Sequence, residues 1–209
     1  MKNTDHGEIS IDGQLGFKRF AYTSETERGE ALRKAGYVEV MQGDKVVGYK
    51  SIDDLFTTAN LDKWKCIQSC MPVQGSSDPF SRDTGKALGS NLIMIIKPYQ
   101  VPKGSFQILK YFDSKSSAES FRSYINSKTM SFMQFFGLCG ATMTNEFFRF
   151  VPDPKDWSCI YVDAPHAGVM PNSQGKYEYG GKTYCSLYVK YGLTPDEINI
   201  IQSVIKERK

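Results

Sequence analysis

The apolar residues of this chain come in short pieces. The longest uninterrupted run is Leu92–Ile96, and elsewhere hydrophobic residues alternate with polar ones or are cut off by Gly and Pro. Apolar runs of about four to eight residues between turn signals read as strands. A chain built this way folds around small sheets. It holds no stretch near the roughly 18 apolar residues that a membrane-crossing helix needs. Gly36–Tyr49 reads as a β-hairpin: GYVEVM, a turn at Gln42-Gly43-Asp44, then KVVGY. Lys63–Cys70 alternates and reads as a strand. Asn91–Ile96 is the expected central strand, with Ser105–Phe112 as its neighbour, and Phe147–Val151 is expected as one more short strand.

Helix signals are fewer. Ser51 is placed to cap a short helical turn with Asp54 in its first turn. Ser114 or Ser116 is placed to cap a helix over Ser117–Asn126, with Glu119 near its start, and Lys128–Phe136 continues as helix after a bend. Thr194-Pro195-Asp196-Glu197 is a capping box with Pro at the first helical position. Ile198, Ile201, Val204 and Ile205 then fall on one helical face. Strands and helices do not alternate regularly, which argues against a doubly wound parallel sheet. The expected fold class is α+β, a mixed α/β arrangement in which a short-stranded twisted sheet carries several helices. At 209 residues the chain fits one domain. Residues 1–35 form a polar lead-in and 36–151 the body. Residues 152–182 are expected to be a loop-rich insertion, and 183–209 the C-terminal helices.

Cysteines and charge narrow the chemistry. The five cysteines, Cys66, Cys70, Cys139, Cys159 and Cys185, are odd in number and widely spaced. Buried free thiols in a reducing compartment are the ordinary reading. A zinc site needs closely spaced Cys or His pairs, and His6 and His166 sit near no Cys pair. The net charge of +3 does not by itself imply a nucleic-acid partner. Between Lys97 and Lys128, however, six basic residues (Lys97, Lys103, Lys110, Lys115, Arg122, Lys128) face two acidic ones (Asp113, Glu119), a local excess suited to phosphate. A solvated mixed-charge face is the alternative. The N-terminus has no apolar region of the signal-peptide kind, so a cytoplasmic location is expected.

The common catalytic patterns are missing. No Asn-Pro-Pro or Asp-Pro-Pro occurs, and Phe136-Gly-Leu-Cys-Gly140 follows a helix where a cofactor loop would follow a strand. Asp153-Pro-Lys155-Asp156 has the letters of a metal-dependent nuclease in an order that prolines keep out of a strand. Asp53-Asp54 and Asp196-Glu197 suit helix first turns. His166 in DAPHAG is a lone loop histidine, more often structural or solvated than a general base. No Gly-x-Ser-x-Gly elbow and no complete phosphate loop is present.

Aromatic and basic residues do interleave at Phe17-Lys18-Arg19-Phe20 within Leu15–Tyr22, and the loop Met71–Ser90 offers Gln74, Ser76, Ser77, Arg82, Asp83 and Lys86. Arg and Lys suit guanine edges or phosphates, and Gln suits adenine. Plain solvent exposure is the competing account of that loop. The rings of Phe132, Phe135, Phe136 and Tyr124 are expected in the core, since a nucleic-acid stacking face needs exposed rings.

Motifs spread along the chain carry a resemblance. Gly36-Tyr37-Val38 precedes Val47-Gly48-Tyr49, then Asp62-Lys63-Trp64-Lys65. Ser105–Phe112 leads to Ala118-Glu119 and Ser123-Tyr124. Phe147–Pro152, Trp157 and Tyr188–Ile201 follow, the last within SLYVKYGLTPDEINII. Their order and spacing resemble the C-terminal target-recognition region of adenine-specific DNA methyltransferases of bacterial Type II and IIG-like restriction–modification systems. Leu15-Gly16-Phe17 is similar to the opening of that region. The family's Arg in the helix after its Ser-Tyr is replaced around Thr129, Ser131 and Phe132, so no Arg contact carries over there. His166–Thr183 looks like an insertion.

The resemblance implies a recognition-domain-like fold and sequence-specific binding of double-stranded DNA, without the catalytic methyltransferase motifs. Candidate DNA-binding residues are Lys18, Arg19, Gln74, Ser76, Arg82, Lys86 and Lys128. No catalytic or metal-binding residue is expected, and no cofactor in this chain; S-adenosylmethionine belongs to the catalytic domain implied in cis or in trans. A C-terminal part of a larger enzyme and a free-standing specificity subunit both fit. The alternatives are a protein-interaction module that docks a partner subunit and a small metal-dependent endonuclease.

Overall fold

The computed structural model describes residues 36–55, 57–69, 92–104, 106–136 and 148–205. In chain order, these hold β1 (Tyr37–Gln42), β2 (Lys45–Ser51), β3 (Trp64–Ser69), β4 (Met94–Ile96), β5 (Gln100–Pro102), β6 (Phe106–Phe112), α1 (Lys115–Ile125), α2 (Lys128–Phe136), β7 (Ile160–Val162), β8 (Lys176–Tyr179), β9 (Lys182–Ser186), α3 (Leu187–Lys190) and α4 (Pro195–Val204). The fold class is α+β, as expected. The strands form three separate three-stranded sheets, ordered β2-β1-β5, β4-β3-β6 and β7-β9-β8.

The first two sheets and the helices form layers. In β3, successive side chains point to opposite faces: Cys66 enters one core with Leu109, Phe121 and Tyr124, and Ile67 enters the other with Val38, Val40, Val101 and Ile108. The β4-β3-β6 sheet therefore separates two cores. One lies between it and the β2-β1-β5 sheet. The other lies under α1, whose Ala118, Phe121, Tyr124 and Ile125 are fully buried along one stripe. Burying a side chain as large as Phe121 contributes roughly 1.5–3 kcal/mol.

The hairpin, the strand β3, the helical turn at Ile52–Asp54 and the break between α1 and α2 fall where the sequence puts them. Ser127 makes that break: its hydroxyl donates to the Tyr124 carbonyl (2.7 Å) and accepts from the Met130 N–H (3.1 Å). Ser114 caps α1, and Thr194 and Glu197 close the capping box of α4.

Three expectations are corrected. The segment ending Asn91–Ile96 is not central: its strand β4 is an edge, and β3 lies in the middle with β4 and β6 on either side. An apolar run signals burial on both faces, which packing on an edge strand also supplies. Phe148–Phe150 is a helical turn, closed by the Val151 N–H on the Phe148 carbonyl (3.0 Å), where a strand was expected. The stretch 152–182 holds, besides its loops, the short strands β7 and β8. The C-terminal part opens on the strand β9, which pairs parallel with β7 and antiparallel with β8. Gly175 turns the chain into β8 at φ +77°, where a Cβ would come within 2.5 Å of the Ser186 carbonyl oxygen.

Several residues of the motifs that carry the resemblance converge, although those of the hairpin lie in the β2-β1-β5 sheet. The Tyr124 hydroxyl donates to the Pro152 carbonyl (2.6 Å) and shares a hydrogen bond with the Tyr191 hydroxyl (2.7 Å). Trp157 packs its ring against Phe112, Phe121, Tyr124 and Tyr161. Thr129 and the head of α2 are capped by Asp163, whose carboxylate accepts from the N–H groups of Lys128 and Thr129 and from the Thr129 hydroxyl. Tyr124, Pro152, Trp157 and Tyr191 thus mark one packed junction.

Candidate nucleic-acid interface

Among the described residues, polar and aromatic groups gather most clearly on the outer face of the β2-β1-β5 sheet. Alternation in β1 sends Val38 and Val40 inward, leaving Tyr37 and Glu39 on the opposite face. Glu39 is in register with Tyr49 of β2 on one side and with Gln100 of β5 on the other. The Gln100 side-chain amide donates to the Glu39 carboxylate (2.6 Å), and its oxygen accepts from the Lys97 N–H (2.8 Å). Lys97-Pro98-Tyr99-Gln100 is a tight turn tied to the neighbouring loop by the Tyr99 N–H on the Leu61 carbonyl (2.8 Å).

The result is a cleft of about 300 Å³ lined by Tyr37, Glu39, Tyr49, Lys97, Pro98, Tyr99 and Gln100. Tyr99 stands at its rim with 56% of its surface exposed, at φ +60°. A bulky residue in left-handed backbone is disfavoured by steric contact of its Cβ, and such strain concentrates at functional sites. Chemically, the cleft presents tyrosine rings, one lysine and a Glu39 carboxylate that is already bonded by Gln100.

Of the candidate DNA-binding residues, Lys18, Arg19, Gln74, Ser76, Arg82 and Lys86 lie outside the described residues, as do Leu15–Tyr22 and the loop Met71–Ser90. Lys128 is described. It heads α2 half-buried, where the Asp163 carboxylate already occupies the backbone N–H groups that could have met a phosphate. The basic stretch from Lys97 to Lys128 is not one patch. Lys97 and Lys103 flank β5 beside the first core, and Lys115 and Arg122 ride on α1 across the central sheet. Lys110 lies over the Trp157 ring at 5.5 Å, and Lys115 pairs with Glu119 at 3.3 Å.

The remaining chemistry-bearing residues have local partners. His166 Nδ1 hydrogen-bonds the Tyr177 hydroxyl (2.8 Å), and its ring stacks on Tyr179 at 4.0 Å with Tyr184 edge-on. Asp153 accepts from the Lys155 N–H. Burial opposes ionisation of Asp156, yet the Lys176 ammonium and the hydroxyl and N–H of Ser158 hold its carboxyl down to about 2. Both acids of the nuclease-like tetrapeptide thus serve turns and an ion pair. Cys66, Cys159 and Cys185 are free and buried; Cys70 and Cys139 lie outside the described residues. Among the described residues, no group of three or more His, Cys, Asp or Glu side chains could hold a metal ion. No described helix is long and apolar enough to cross a membrane.

A second surface departs from expectation. Tyr124 is core, but α2 buries Thr129, Met130, Ser131 and Gln134, while Phe132 and Phe135 are half-buried and Phe136 is 57% exposed. Met130, Phe132, Met133, Leu193, Ile200 and Ile201 line an apolar groove of about 310 Å³ between α2 and α4. Aromatic spacing alone pointed these rings inward, whereas the pitch of α2 against α1 and α4 turned its polar side there.

Sequence reading gave Glu39, Tyr99 and Gln100 no role. Alternation in the hairpin was enough to place Tyr37 and Glu39 outward. The pairing of β5 with β1 joins residues far apart in sequence, and no local pattern announces it. Compared with known proteins, the chain matches no family model, no curated protein and no solved structure.

Proposed function

We propose that this chain is a DNA target-recognition module of a restriction–modification adenine methyltransferase, working in the cytoplasm with a catalytic domain supplied in cis or in trans. The observation that carries the reading is the cleft on the β2-β1-β5 face, where three tyrosines and Lys97 surround the Glu39–Gln100 pair. Rings that stack on bases and a cation for phosphate are parts of a nucleic-acid surface. The motif order along the chain supports the same reading. S-adenosylmethionine and the methyl transfer belong to the catalytic partner.

Binding of the purified chain to a random-sequence duplex library at two salt concentrations tests it. Enrichment of a motif is the expected result. Sequence-blind binding that vanishes with salt assigns readout to the complete enzyme.

The groove between α2 and α4 favours a second reading, a module that docks a partner protein through an apolar surface. Exposed Phe136 and Ile200 beside a groove of this kind are surface that a partner covers. Absence of DNA binding at both salt concentrations selects this second reading over the first.

A further inference from the structure

We infer that the groove between α2 and α4 takes a helix of a partner protein, one that carries apolar residues on one face and a lysine or arginine beside them. The inference rests on the reading of this groove as a docking surface and specifies the partner's chemistry. It holds whether or not the chain also binds DNA.

The walls decide the partner's backbone. Met130 and Met133 come from α2, Ile200 and Ile201 from α4, and Leu193 from the turn before α4. Both walls are helices, whose main-chain N–H and C=O groups bond within the helix itself. An extended peptide laid between them would leave its own N–H and C=O groups without partners among apolar side chains, at a cost for each group. A helix brings those bonds with it. Amphipathic helices fill such grooves with apolar residues three or four positions apart, and methionine side chains adapt to what enters.

The apolar surface is also longer than the groove. About 310 Å³ is at the small end of ligand pockets. Beyond it the Phe136 ring, 57% exposed, meets the Phe132 ring edge-on at 4.9 Å. A small molecule in the groove would leave Phe136 in water, whereas a helix laid along it covers that ring as well.

Charge then selects the partner's side chains. Glu197 is the one charged residue in the lining. One oxygen of its carboxylate accepts from the Thr194 N–H and hydroxyl, both at 2.8 Å, and those bonds hold the carboxyl below its ordinary pKa. The other oxygen has no hydrogen-bond partner among the described residues. α4 carries no base of its own, and Lys128 at the head of α2 is not in the lining. A partner that covers the groove strips water from this anion. That cost is offset when the partner brings a cation to the open oxygen, and a neutral or acidic helix leaves it unmet.

The test selects binders of the purified full chain from a displayed library of random linear peptides. Winners are expected to carry apolar residues three or four positions apart with Lys or Arg one turn away. A proline placed between those apolar residues should abolish binding of the synthesised winner. Ile200→Gln should weaken it about tenfold, the scale of an interface hot spot. Ile200 is 52% exposed and Gln suits a helix, so α4 stays folded. Glu197→Gln keeps an acceptor for the capping box. It should weaken the winner about fivefold, and should not further weaken a winner whose base is replaced by norleucine. Winners that need Ile200 but carry no base, or that tolerate the proline, overturn the inference and leave the groove a docking surface. A chain that sediments as a dimer, and as a monomer in Ile200→Gln, puts a second copy in the groove and overturns the partner helix. No winner, or only winners indifferent to both Ile200→Gln and Phe136→Ala, overturns the inference and the docking reading together.

Discussion

Lys65 shows how much a single buried side chain can reveal. It is only 2% exposed, and its ammonium donates to the carbonyls of Leu61 and Lys63, both at 2.9 Å. Burial lowers its pKa from the ordinary 10.5 to about 8, against the pull of Asp62. Because the folded value lies below the unfolded one, the unfolded chain binds more protons between them. Stability from this group is therefore greatest above 10.5 and is lost as pH falls through 8. Unfolding by urea across that window should show the native chain gaining at most about 3 kcal/mol relative to Lys65→Met. A constant difference between the two proteins would mean that the amine is not desolvated. Tyr99 gives the complementary residue-scale prediction. Tyr99→Gly should keep or raise stability, by up to roughly 1 kcal/mol, since it removes left-handed strain from a largely exposed side chain. A fall of Tm in that variant would show the ring to be structural.

At the scale of elements, the joints matter more than the elements. Asp163 follows β7 directly and holds two backbone N–H groups at the head of α2, while its carbonyl accepts from the Ser186 hydroxyl and the Tyr188 N–H. Asp163→Ala should cost about 1–2 kcal/mol, the range for losing a good helix cap, and should shift the urea midpoint without changing the slope. Tyr124→Phe removes the hydroxyl between Pro152 and Tyr191 and leaves a buried carbonyl without its donor, a loss of about 1–3 kcal/mol. An unchanged midpoint in either variant would refute the role given to that joint.

Among the described residues, the basic groups are divided between faces in a way the linear sequence hides. Lys97 lies at the cleft, whereas Arg122 lies on α1 across the central sheet. If DNA lies on the cleft face, Lys97→Gln should weaken duplex binding and reduce the slope of log K against log salt by about 1, with Arg122→Gln without effect. Equal loss in both variants would place DNA elsewhere. Exposed groups such as the Lys115–Glu119 pair contribute little to stability, because solvent screens them.

What the sequence alone determined was local. Alternation defined the hairpin and β3, and Thr194 and Glu197 defined the start of α4. Each follows from side-chain periodicity or from capping between residues a few positions apart. Tertiary structure decided the rest. Pairing across long separations put Gln100 beside Glu39 and made β3 central. A short Tyr- and Cys-bearing strand at Lys182–Ser186 drew β7 and β8 out of a stretch full of Pro and Gly. The packing of α2 against α1 and α4 turned Phe136 outward. These outcomes depend on which distant partners fill each face, and the free energy of that choice is written in no single segment. Some of the motifs behind the resemblance meet in the packed junction around Tyr124, while Tyr37 and Tyr49 of the others line the cleft. The cleft exists only once the Tyr37–Ser51 hairpin and the distant Lys97–Gln100 turn lie side by side.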